Sequence, residues 1–179
     1  GIFNLISGQP FNVTAAIGAL TQPVAAIAAS TSTPNIVGDF PKSTGQVTRL
    51  ANGVTYLPGI QQIADPTRAN VSALNGLQGT FTNKAITDAQ GNLLLVNPAP
   101  GQIGNMGLKW IEGPGQIRFD MNLIKRVRIT ETKEFEFRVD AVNVLNHPNF
   151  GNPTGDINSP SFGRITTAAG ERNFVINAR

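Results

Sequence analysis

The side chains that could do acid–base chemistry crowd into one short stretch of this chain. Glu134, Glu136 and Asp140 are candidate general acids or bases, but they alternate with Arg138, and Arg118, Asp120, Arg126 and Arg128 lie just upstream. A working acid–base pair needs two environments that push the pKa values apart. Carboxylates interleaved with arginines on one strand face fit a charge-paired lining better than a reaction centre. His147 is the only histidine, and there is no cysteine. One histidine alone does not make a usual zinc site. A Ser-His-Asp arrangement would need Asp140 or Asp156 and an activated serine, and no G-x-S-x-G elbow supplies one. His147 is therefore assigned to a turn. Gly101-Gln102-Ile103-Gly104-Asn105-Met106-Gly107 superficially suggests a phosphate loop. It lacks the following Lys-Ser/Thr and the strand–loop–helix setting, so these are read as turn glycines. Tyr56 and Trp110 are read as anchors of a long loop or as membrane-interface aromatics, in preference to ligand-stacking rings. The expectation is a protein that is not an enzyme, with no catalytic site, no metal and no cofactor.

Composition narrows the class further. Charged residues make up only 14% of the chain, against about a quarter in a soluble domain. Gly (19) and Pro (12) are abundant, which suits strands and turns better than helices. Net charge is +3, from 14 basic and 11 acidic residues. The only basic cluster, Lys125, Arg126 and Arg128, is followed directly by acids, so no nucleic-acid partner is expected. The absence of cysteine excludes disulfides and thiolate metal sites. No apolar run approaches the roughly 18 residues of a transmembrane helix. Gly1 lies inside the apolar stretch Gly1-Ile2-Phe3-Asn4-Leu5-Ile6 and reads as an internal cut.

The elements that must carry these residues fall into three zones. Residues 1–7 form a short apolar strand ending in the turn signal Ser7-Gly8-Gln9-Pro10. Residues 8–115 are polar, rich in small residues and broken by Gly and Pro, with no sustained period of 2 or 3.6. Within them, 15–29 is rich in Ala and Ile and is a candidate short helix. Strands are possible near 54–57 and 92–96, with Gln90-Gly91-Asn92 as a hairpin turn. A loop of this length is abnormal in a compact soluble domain but ordinary as an extracellular excursion of a barrel.

Residues 116–179 hold the clearest pattern. Ile117, Phe119, Met121 and Leu123 alternate with Arg118, Asp120 and Asn122, and Phe135, Phe137, Val139 and Ala141 alternate with Glu134, Glu136, Arg138 and Asp140. A period of 2 places one set on each strand face. The runs at 117–129 and 133–146 exceed globular strands of about 5–6 residues and meet the roughly 9–11 that a membrane-spanning strand requires. A hairpin centred on Glu131 would pair Arg128 with Glu134 and Arg126 with Glu136 on one face, and Val127 with Phe135 and Leu123 with Val139 on the other. Lys125 interrupts the apolar face near the turn, where a long side chain can snorkel to headgroups. A last strand from Arg172 adds Phe174, Ile176 and Ala178 to one face. A soluble antiparallel sheet with one wet face would show the same alternation. Strand length and the long loop tilt the reading toward a barrel.

Several strings occur in the order found in one family. They are GIFNLISGQPFNV (1–13), PNIVGD (34–39), PAPGQIGNMG (98–107), GPGQIRFDMNLIK (113–125), FRVDAVNVLNHPNFGNP (137–153) and SPSFGRIT (159–166). Together they resemble TonB-dependent receptors of the Oar-like group, which carry a carboxypeptidase-regulatory-like N-terminal domain and abound in acidobacteria. The match is thin from 46 to 97. The resemblance implies a barrel of about 22 strands with a plug, energised by TonB from the periplasm. This chain would supply the strands at 1–7, 117–129, 133–146 and 172 onward, leaving 8–115 and 147–171 extracellular. Family barrels usually finish on an aromatic residue whereas this chain stops at Arg179, so a few further residues are expected beyond it.

The fold expected is therefore all-β: antiparallel strands of a transmembrane-type barrel with a very long irregular extracellular loop, incomplete alone. Arg118, Asp120, Arg126, Arg128, Glu134, Glu136, Arg138 and Asp140 would face the lumen. Ile117, Phe119, Met121, Leu123, Phe135, Phe137, Val139, Phe174 and Ile176 would face outward. The expected partners are the rest of the barrel and its plug, TonB through the parent protein, and outer-membrane lipid. The competing readings are a β-rich subunit whose identical copies join edge to edge into an extracellular filament or surface layer, and a secreted soluble β-domain that binds glycans or surfaces.

Overall fold

The computed structural model describes residues 1–15, 32–42, 45–68, 83–98 and 103–179. The candidate helix at 15–29 lies outside these residues apart from Ala15. Among the described residues the structure is strand and turn, with one 3-10 turn at Pro66–Arg68. No helix among them is long and apolar enough to cross a membrane. The strands in chain order are β1 (Ile2–Ile6), β2 (Pro10–Phe11), β3 (Asn35–Ile36), β4 (Thr48–Leu50), β5 (Gly53–Thr55), β6 (Gln61–Ala64), β7 (Lys84–Thr87) and β8 (Leu93–Val96). They continue with β9 (Ile111–Glu112), β10 (Gln116–Arg128), β11 (Glu134–Val142), β12 (Asn149–Phe150), β13 (Arg164–Ile165), β14 (Ala168–Ala169) and β15 (Asn173–Ala178).

Two compact units result. One comprises Gly1–Gly8, Gly115–Gly151 and Thr167–Arg179; the other comprises Gln9–Pro114 and Asn152–Thr166.

The first unit is an antiparallel sheet in the order β1-β10-β11-β15, with the small pair β12-β14 beside it. β10 has 13 residues, which at about 3.3 Å each gives roughly 43 Å of strand. The β10–β11 register is the one that the charge pattern demands: Arg128 faces Glu134, Arg126 faces Glu136, Val127 faces Phe135 and Leu123 faces Val139. Slipping by one residue would set the apolar side of one strand against the charged side of the other. The turn closes through the Ile129 and Thr130 amides, both donating to the Lys133 carbonyl at 2.9 and 3.2 Å. β11 ends at Val142, short of the expected 146. The reason is backbone geometry: Asn143 and Asn146 take φ of 48° and 51°. Asparagine tolerates this left-handed region, and a strand cannot continue through it. The sheet does not close on itself; β1 and β15 are its edges.

The second unit is built from strands of two to four residues, too short to impose a period on the sequence. β3-β8-β7-β6 form one sheet, β13-β5-β4 a second and β2-β9 a pair. The β7–β8 hairpin is where the Gly91 signal places it. Gly91 has φ of 88°, and Asp88 accepts hydrogen bonds from the amides of Gln90 and Asn92 at 2.9 and 2.8 Å. Ile86, Leu95, Ile111, Ile157 and Val13 are fully enclosed. A buried carboxylate, Asp65, accepts from the Thr67 hydroxyl and from the Asn97 amide and side chain, so its cost of burial is met by donors.

The recurrent strings turn out to be partners. Pro34-Asn35-Ile36 lies against Gly104-Asn105-Met106: the Met106 amide donates to the Pro34 carbonyl, and Asn35 and Asn105 each accept from the other segment's backbone. A Cβ on Gly104 would collide with the Thr33 and Pro34 carbonyls, so only glycine fits there. Likewise the Thr14 amide donates to the Gly155 carbonyl and the Tyr56 amide to the Gly163 carbonyl, tying 9–15 and 54–57 to 154–166.

Candidate functional site

Residues paired across a ladder share a face. The registers therefore gather Ile117 and Leu5, Phe119 and Phe3, Met121 and Ala141, Leu123, Val139 and Ile176, and Val127 and Phe135 on one side, with Phe174 opposite Ala141 and Phe137 opposite Lys125. All nine residues expected to point outward are on this side. The other side carries Arg118, Asp120, Arg126, Arg128, Glu134, Glu136, Arg138 and Asp140, together with Asn4, Asn122 and Asn177, and intersperses them with the exposed aliphatic residues Ile2, Ile6, Ile124 and Val175.

The apolar side is bare. Leu123 is 62% exposed, Ile176 65% and Phe3 59%. Burying a side chain of this kind is worth about 1.5–3 kcal/mol, and a row of them across four strands is far more than a soluble surface leaves open. Lys125 alone brings charge to this side, near the hairpin end.

The charged side is paired. Glu136 takes Arg126 from β10 at 2.6 Å and Arg179 from beyond β15 at 3.2 Å, a ladder across three strands. Arg118 and Arg138 each reach two residues along their own strand, to Asp120 and Asp140, at 2.8 Å. Arg128 and Glu134 sit opposite each other without coming within ion-pair distance. Asp120, Glu136 and Asp140 each have an arginine partner, so this side is largely polar and ion-paired, with aliphatic residues between the charges.

Sequence reasoning missed Asn143. This residue is 1% exposed; its amide donates to Asp120 at 2.8 Å, and its side chain accepts from the His147 amide and donates to the His147 and Gly170 carbonyls. It joins the ends of β10 and β11 to the approach to β15. The only signal in the sequence is that Asn143 and Asn146 bracket the point where alternation stops. His147 lies just after the turn at Val144–Leu145, with its ring Nδ1 enclosed and lacking a hydrogen-bond partner among the described residues.

Tyr56 and Trp110 anchor the second unit. The Tyr56 hydroxyl donates to the Glu112 carbonyl at 2.7 Å, and burial pushes its pKa above the usual 10.0. The Trp110 indole donates to the Pro41 carbonyl at 3.1 Å, under the Lys42 ammonium. At the exposed β7–β8 turn, the Asn92 side chain and the turn amides hold Asp88 below the usual carboxylate value of 3.8.

An antiparallel sheet with two strands of 13 and 9 residues, one bare apolar side and one largely ion-paired side has the pattern of a transmembrane β-barrel wall. The chain belongs to the outer membrane beta barrel domain family, whose model matches residues 1–175. Comparison with curated proteins and with solved structures found no match.

Proposed function

We propose that this chain is the C-terminal part of an outer-membrane TonB-dependent transporter or receptor of the Oar-like kind, working on an unidentified ligand. The observation that supports the proposal is that the four strands implied by the resemblance pair in chain order, with the apolar side bare and the other side largely ion-paired. The Oar-like assignment draws on the order of those strings. On this reading the apolar side meets lipid and the charged side lines the lumen. The ligand binds from outside, and release is driven through a plug by TonB. The chain itself performs no covalent chemistry and carries no cofactor.

The test is made on the intact parent protein. Heat-modifiable migration in detergent is expected, together with a plug domain encoded upstream of Gly1. Migration independent of heating would reject the barrel. A heat-modifiable protein without a plug would reject the TonB-dependent assignment while keeping the barrel. Regular filaments under negative stain would favour edge-to-edge assembly through β1 and β15, which present unpaired strand edges.

A further inference from the structure

On the charged side of the first unit, where β1 ends and β10 begins, a cavity of about 320 Å³ is lined by Asn4, Gln116, Arg118, Asn149, Val142 and Ala169, among others. This is within the size range of small-molecule sites. Two of its polar groups, Arg118 and Asn149, offer donors to it. The Asn149 Oδ1 accepts from the Ile117 amide at 2.9 Å, which leaves its NH₂ for the cavity. Arg118 gives Nε to both oxygens of Asp120, at 2.9 and 2.8 Å. Among the described residues no hydrogen bond engages the two terminal guanidinium nitrogens. Asp120 is itself held by the Asn143 amide, and Asn143 by His147 and Gly170. The guanidinium is thus oriented from behind by fixed contacts. Asn4 and Gln116 carry amides that can donate or accept. No carboxylate lines the cavity, while Val142 and Ala169 supply an apolar wall.

We propose that this cavity is a subsite for the carboxylate of a small organic solute. A planar carboxylate matches the open edge of a held guanidinium with two parallel hydrogen bonds, and the Asn149 NH₂ adds a third donor. Uronic acids and the C-termini of short peptides share that chemistry. The inference rests on the transporter reading and adds a ligand class to it. Asp120 and Asn143 are positioning residues; Arg118 is the contact.

The experiment is calorimetric titration of the intact outer-membrane protein in detergent micelles. The probes are galacturonate against galactose, and trialanine against its C-terminal amide. At least one acid should bind about tenfold or more tighter than its neutral counterpart. Arg118→Lys keeps the charge but loses the fork, and should remove about tenfold or more of that acid affinity without changing the neutral probe. Ala169→Trp adds bulk at another lining residue and leaves Arg118 in the sequence, and should abolish acid binding; it decides the matter alone where Arg118→Lys fails to fold. A response confined to galacturonate identifies a sugar acid, and one confined to trialanine a peptide. The inference is overturned where a heat-modifiable protein binds neither acid better than its neutral counterpart. It is equally overturned where acid binding survives either variant. Loss of heat-modifiability in the unsubstituted protein overturns the barrel reading itself, and the inference with it.

Discussion

Placing a charge at Leu123 separates a lipid-facing sheet from a solvated one. Leu123 lies one residue from the middle of Gln116–Arg128, so it sits roughly 3 Å along the strand from its midpoint. Its side chain is 62% exposed on the bare apolar side, opposite Val139. In water, Leu123→Arg would change stability by no more than about 0.5 kcal/mol, because no packing is lost. At the centre of a bilayer the same change costs about 2–4 kcal/mol. Asn122→Arg is the matched control. It adds the same group one residue away, on the other side of the sheet, opposite the Asp140 carboxylate. Its effect should stay within about 1 kcal/mol. The assay is urea unfolding of the intact protein in lipid vesicles, with the fraction folded read from the heat-modifiable band. Equal losses in the two variants, or a loss below about 0.5 kcal/mol for Leu123→Arg, would refute the assignment of faces.

Asn143→Ala removes the side-chain bonds to His147 and Gly170 and puts alanine at φ of 48°. It should cost about 2–4 kcal/mol, with Asn143→Gly recovering the conformational share; urea midpoints compare the two. Val127→Cys with Phe135→Cys should cross-link on mild oxidation, since the two face each other and the chain has no cysteine of its own. Val127→Cys with Glu136→Cys points to opposite faces and should remain reduced, as mass spectrometry would report. The Asp88 turn stabilises the fold only while its carboxylate is ionised, and its folded pKa lies below the ordinary 3.8. That contribution is complete above the unfolded value and is lost as pH falls through the folded one. Amide exchange at Asn92 should accelerate over that range and become independent of this titration in Asp88→Asn. Tyr56 moves the other way: its folded pKa is raised above 10.0, so its contribution is complete below 10.0 and lost as pH rises through the folded value. Ultraviolet titration should show phenolate appearing later than in free tyrosine.

How much was legible depended on the length over which a residue's environment repeats. Alternation fixes which residues share a face, and the turn centred on Glu131 then fixes the β10–β11 register, setting Arg126 against Glu136 and Leu123 against Val139. The β7–β8 turn was legible because Gly91 marks a left-handed position. Strands near 54–57 and 92–96 were also legible, but most of the second unit was not, since strands such as Asn35–Ile36 and Ile111–Glu112 span a single period of alternation and are stabilised by partners far along the chain. The strings around 34–36 and 104–106 were visible as strings, but not as each other's partners.

Residue order by itself determined the strand faces, because side-chain direction in a strand depends only on parity, and with the turn position it determined the β10–β11 register. Tertiary structure decided where β11 stops, which groups Asn143 holds, and that Glu136 is shared by Arg126 and Arg179. Those contacts join segments separated by turns, and their geometry is set by backbone angles and packing that no local period encodes.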